Sequence, residues 1–122
     1  MFAFDQHGPQ GLLASWNKTF TVSTLLSDAY FTLGEIALSQ EMAFEGYVTV
    51  IGAGNPRNLQ RLVQTNLIYG TYPIAEKYIS ILEKTYAYHD WAKRHRGFLY
   101  NDKAIEADPV LGPKRKALPK GK

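Results

Sequence analysis

Apolar residues fall at Val22, Leu25, Leu26, Ala29, Tyr30 and Leu33, in steps of three and four that draw one stripe along an amphipathic helix. Gly34 ends that helix, because only glycine enters the left-handed region without steric cost. A second run puts Ser39, Met42, Ala43, Gly46, Tyr47 and Val50 on one face, and the short Gly34-Glu35 connection makes the two helices antiparallel. After the break at GAGNP, Asn55 as N-cap and Pro56 at the first helical position start a third helix with the stripe Leu59, Leu62, Val63, Asn66 and Tyr69. Gly70 closes it, and Pro73 opens a fourth with Ala75, Tyr78, Ile79, Leu82 and Tyr86 inward and Glu76, Lys77, Glu83 and Lys84 outward. A short polar helix at about 88–96 stops at Gly97. Upstream, Gly8, Pro9 and Gly11 mark residues 1–19 as an irregular lead-in, with Leu12, Leu13 and Trp16 expected to fold it back onto the body.

The 122 residues suit one domain, and 45% apolar with 20% charged residues excludes disorder for most of the chain. Absence of cysteine removes disulfide frameworks, thiolate metal sites and thiol nucleophiles. The net charge of +3 suggests a polyanion binder until its position is considered. Lys114, Arg115, Lys116, Lys120 and Lys122 carry +5 in the last ten residues, which leaves −2 for the body. The basic end therefore reads as a solvated tail on a C-terminal extension, 101–122, and nucleic acid as an improbable partner. No window of about 18 apolar residues exists, so no membrane insertion is expected of this chain, and the start lacks a basic and apolar leader.

An offset of 36 superposes the helix pairs: Leu26 on Leu62, Tyr30 on Asn66, Leu33 on Tyr69, Gly34 on Gly70, Ile36 on Tyr72, Ser39 on Ala75. Ser39, Ala75 and Gly46 read as crossing points, since helix axes about 8–10 Å apart leave little room for a side chain. These positions resemble tetratricopeptide repeats: Leu26, Tyr30, Leu33, Gly34, Ser39 and Gly46 in one unit, Leu62, Gly70 and Ala75 in the next. Asn66 stands where that pattern has an aromatic, and Leu82 where it has a small residue. The resemblance implies an all-α fold of two helical hairpins, about 22–51 and 56–86, with a capping helix, a short right-handed α-solenoid within 20–100. In such stacks the first helices line a concave groove, here Thr24, Asp28, Phe31, Arg57, Gln60, Gln64 and Leu67 by match of position. The stretches FDQHGPQGLL, LLSDAYFTLGEIALSQEMAFEGYV, NPRNLQRLVQTNLIYGTYPIAEKYI and FLYNDKAIEADPVLG resemble the C-terminal region of an uncharacterised family of Bacteroidota membrane proteins, a domain of unknown function. That likeness implies a soluble tail of a larger, membrane-anchored parent.

Catalytic and cofactor motifs are weak. YVTVIGAG at 47–54 has the look of a dinucleotide-binding strand, but Arg57 occupies the third-glycine position and the helical stripe runs through Tyr47 and Val50. His89 and His95 are six apart, which does not put two metal ligands on one helix face, so both read as surface histidines. Glu41 and Glu45 read as a solvated face. Lys93, Arg94, His95 and Arg96 beside Trp91, Phe98 and Tyr100 read first as a polar cap anchored by Trp91 and second as a single-strand binding surface. The expectation is a non-catalytic protein-interaction or scaffolding module without metal or cofactor, its partner a protein or peptide, another part of the parent chain included. Two repeats leave apolar surface for a second copy or a neighbouring repeat to cover. The alternative is nucleic-acid or anionic-surface binding through Arg94, Arg96 and the basic end.

Overall fold

The computed structural model describes residues 22–49 and 56–119, and every element among them is a helix. Helix α1 covers 22–33, followed by α2 (Ile36–Thr49), α3 (Pro56–Tyr69), α4 (Tyr72–Tyr86), α5 (His89–Arg96), α6 (Asp102–Ala107) and α7 (Leu111–Lys116). Tyr47, Val48 and Thr49 are helical, so the described part of YVTVIGAG forms no strand. The lead-in with Leu12, Leu13 and Trp16, the expected Asn55 cap and Val50 lie outside the described residues.

The two hairpin turns are copies of one another. Gly34 and Gly70 have φ of +82° and +79°. In the first turn the Gly34 amide donates to the Phe31 carbonyl and the Glu35 amide to Tyr30; in the second Gly70 donates to Leu67 and Thr71 to Asn66. This paired bonding is the Schellman closure, in which a left-handed residue lets two amides reach back to carbonyls that the helix end would leave unpaired. Asn66, which stands in place of an aromatic, is fully buried and strengthens the second turn. Its Nδ2 donates to the Leu62 carbonyl at 2.7 Å, and its Oδ1 accepts from the Thr71 hydroxyl at 2.6 Å.

Helix α3 is the centre of the molecule and packs against α2, α4 and α7. It buries Leu59, Leu62, Val63, Leu67 and Ile68; α4 adds Ala75, Tyr78, Ile79 and Leu82, and α2 adds Ile36 and Ala43. The expected inward stripes of α2, α3 and α4 are largely realised, except that Tyr69 is exposed. Ser39, Ala75 and Gly46 are buried at the crossings. A Cβ on Gly46 would come within 2.6 Å of Asn58 Nδ2.

Helix α1 corrects the sequence reading. Its expected core stripe of Val22, Leu25, Leu26, Ala29, Tyr30 and Leu33 faces away from the body, with Leu25 56% and Leu33 73% exposed and only Tyr30 half-buried. The buried face is Ser23, Thr24, Ser27 and Phe31. Small hydroxyl residues let α1 approach α2 closely enough to bond backbone as well as side chains. The Ser27 hydroxyl donates to the Ser39 carbonyl at 2.8 Å, the Ser39 hydroxyl donates to the Ser27 carbonyl at 2.8 Å, and Ser23 donates to Glu45 Oε2. Bonds joining 27 to 39 and 23 to 45 require the antiparallel pairing that the short turn implies.

Lys114 and Arg115 of the basic end are a second correction, while Lys116 is exposed as expected and Lys120 and Lys122 lie outside the described residues. Lys114 and Arg115 lie on α7, which packs against α3 and α6 and buries Leu111 and Gly112. Arg115 Nε and Nη2 donate to the Ile68 and Leu67 carbonyls at 3.0 and 2.6 Å, and Lys114 Nζ donates to the Phe31 carbonyl at 2.8 Å. Both cations cap C-terminal carbonyls, of α3 and α1, where the helix dipole favours positive charge. Helix α7 is itself started by Asp108, whose Oδ2 accepts from the Val110 and Leu111 amides, and Asn101 caps α6 through Ala104.

Candidate interaction surface

Of the seven positions matched to a concave groove, Thr24, Phe31 and Leu67 are buried, Asp28, Gln60 and Gln64 half-buried and Arg57 exposed. They gather where α1 meets α3, and most are occupied by contacts within the chain. Asn58 Nδ2 donates to Thr24 Oγ1 at 3.0 Å. Asp28 pairs with Arg57 and, at 2.9 Å, with Arg61, whose Nη1 donates to Gln64 Oε1. The Phe31 ring lies between the Arg61 guanidinium, 3.9 Å from its centre, and the Lys114 ammonium at 4.7 Å. Arg61 and Lys114 were not identifiable from the sequence. The one signal was the placement of Arg61 a single turn beyond Arg57, which sets both guanidinium groups toward the same carboxylate.

The opposite side of α1 is the open surface. Val22, Leu25, Leu26, Ala29 and Leu33 recur at helical spacing and stand in water; α2 separately exposes Leu38, Phe44 and Val48. Residues 22–49 hold Asp28, Glu35, Glu41 and Glu45 and no Lys, Arg or His. The α1–α2 hairpin is therefore apolar and purely acidic, and among the described residues the cations lie from Arg57 onward.

Concavities lie elsewhere among the described residues. One, of about 500 Å³, opens between α2, α3 and α4 and is walled by Phe44, Tyr69, Ile74 and Tyr78, with Gln40 and Glu41 at its polar side. Burial pushes the hydroxyl pKa of Tyr69 and Tyr78 upward. The second, about 240 Å³, is lined by Gln64, Arg94, His95 and Asp108 with Phe98, Val110 and Leu111. His95 is not the surface residue that its spacing suggested. It is 6% exposed, stacked on Trp91 with ring centres 3.5 Å apart and met edge-on by Phe98. Its Nδ1 lies 2.9 Å from the Trp91 carbonyl. Burial lowers its pKa, Arg94 adds to that, and the Trp91 carbonyl and Asp108 oppose it. His89 is exposed, and among the described residues no three His, Asp or Glu side chains cluster as metal ligands would.

A family described as "Family of unknown function (DUF6057)" matches residues 1–122. The chain belongs to DUF6057. No curated protein and no solved structure matches it. Among the described residues of this DUF6057 chain, no helix is long and apolar enough to cross a membrane. Several cations that a polyanion would use are engaged internally: Arg96 with Ser80 and Glu83, Arg115 with Asp102 and Tyr72 besides its helix cap, Lys114 with Phe31. Lys93, Arg94 and Lys116 remain exposed or half-exposed around α5 and α7.

Proposed function

We propose that this DUF6057 domain is a non-catalytic protein-interaction module built as a short tetratricopeptide-like stack, and that its contact surface is the outward face of α1. The observation that carries this reading is the orientation of α1: the helix turns serine and threonine inward and leucine outward. Leaving large apolar side chains in water forgoes roughly 25 cal/mol for each Å² that burial would remove. A stripe of this kind at helical spacing marks a surface that another body covers. The two matching turns at Gly34 and Gly70, and the burial of both Ser39 and Ala75, support the repeat architecture.

The acid-only hairpin selects the chemistry of the partner. A helix that presents leucines flanked by lysine or arginine would bury the stripe and meet Glu35 and Glu45 with opposite charge. Such a segment in a membrane-anchored parent protein would make this domain its docking tail.

The test uses two model peptides that form amphipathic helices, one of leucine and lysine, the other of leucine and glutamate. Fluorescence anisotropy should give saturable binding of the basic peptide alone, weakened at least tenfold by the triple substitution Leu25→Ser, Leu26→Ser, Leu33→Ser, with the melting temperature unchanged. Equal binding of both peptides, or undiminished binding by the variant, would overturn the reading. A dimer in sedimentation that the variant dissolves would transfer the stripe to a second copy of the chain.

A further inference from the structure

The cleft between α2, α3 and α4 carries features that the α1 stripe does not explain. Phe44 and Tyr69 are 48% and 41% exposed, yet they face one concavity together with Tyr78 and Ile74. Its volume of about 500 Å³ lies within the range of small-ligand sites, about 300–1,000 Å³. Gln40 and Glu41 are polar residues that line it. Gln40 lines the cleft and its side-chain carbonyl Oε1 is buried without a hydrogen-bond partner. A buried carbonyl left unpaired costs desolvation, so the position calls for a donor. Glu41, one residue on, stands exposed at the same cleft, and among the described residues no hydrogen bond or ion pair holds its carboxylate.

Among the described residues no cation lines the cleft. Lys77 approaches Tyr78, its Nζ 6.0 Å from the ring centre, but is not among the lining residues. Aromatic faces present negative charge density to a cation, a carboxylate adds a full charge, and low-dielectric walls concentrate the field of both. An ammonium donates N–H and accepts nothing, which is the complement of Gln40 Oε1 and Glu41 together.

From this arrangement we infer that the cleft is a binding site for an organic ammonium ion bearing an apolar or aromatic substituent. The ammonium group donates to Gln40 Oε1 and is neutralised by Glu41, and the substituent lies against Phe44, Tyr69 and Ile74. The site stands on α2, α3 and α4 and does not depend on the α1 stripe being an interface.

The experiment compares three probes of nearly equal size by backbone amide NMR titration of the whole chain: 2-phenylethylammonium, 2-phenylethanol and 3-phenylpropanoate. The ammonium is expected to bind saturably with shifts around residues 40–44, 69 and 74–78, the alcohol at least fivefold more weakly and the carboxylate not at all. Glu41→Gln is expected to weaken the ammonium about tenfold and leave the alcohol unchanged. Phe44→Ala should weaken both, and the triple α1 variant should weaken neither. Both substituted side chains are exposed in part or whole, so the fold should survive. Equal affinity for alcohol and ammonium, indifference to Glu41→Gln, or shifts confined to other helices would each overturn the assignment.

Discussion

His95 and Gly112 show how single positions control this small domain. The buried imidazole titrates below its ordinary value of 6.5, chiefly because burial disfavours the charged ring. Between that lowered value and 6.5 the unfolded chain binds a proton that the folded chain does not. Stability is therefore complete above 6.5 and declines as pH falls toward the folded-state value. Melting temperatures at pH 7.5 and 5.5 should differ more for the native chain than for His95→Phe, and an NMR titration should place the ring's midpoint below 6.5. Gly112 is needed for space. A Cβ there would stand 2.3 Å from the Glu106 carbonyl oxygen, which is backbone and cannot swing aside. Gly112→Ala should cost about 1–3 kcal/mol in urea unfolding, the usual range for forced overpacking. Gly46→Ala should cost less, because it displaces the Asn58 side chain and gains about 1 kcal/mol of helix propensity. The need at Gly46 was legible from its small-residue register; nothing in the local pattern around Gly112 announces its contact with the end of α6.

Helix α7 makes the corresponding point for an element. Its six residues are too few to be stable alone, and it is held by Leu111 beneath and by Arg115, whose guanidinium reaches Leu67, Ile68, Tyr72 and Asp102. The Tyr72 hydroxyl and Arg115 together hold the Asp102 carboxyl below its ordinary value. Arg115→Ala leaves the Ile68 carbonyl at the end of α3 without its side-chain donor, while Leu67 keeps the Gly70 amide, and should cost about 1–3 kcal/mol. Hydrogen exchange should then quicken in 111–116 and the last turn of α3 while the α1–α2 hairpin keeps its protection. Arg115→Lys should recover little, since an ammonium cannot serve four acceptors spread around a planar fork. A run of lysine and arginine near a chain end is ordinarily solvated, and composition offers no sign that two of these side chains would fold back over 47 and 83 residues to helix ends.

Across the whole molecule, charge and greasiness are divided. The α1–α2 hairpin is acidic and apolar outward, the remainder carries the cations, and the Asp28 bridge to Arg57 and Arg61 joins the two parts. That division is why the proposed partner is basic and why the stripe variant is expected to lose binding without losing stability. The first five helices, the glycine stops at Gly34 and Gly70 and the pairing of α1 with α2 and α3 with α4 follow from the sequence alone; α6 and α7 do not. Periodicity of 3.6, left-handed glycines and two-residue connections are local constraints that few alternatives satisfy. Which side of α1 turns inward is not local. A stripe of leucines states that one face differs from the other, and only the reach of Ser27 to Ser39 and of Thr24 to Asn58, 12 and 34 residues away, determines that the polar face is the buried one. The same holds for His95 and Arg115: their residue types were visible, but their surroundings are made by segments distant in the chain, and tertiary packing alone brings those together.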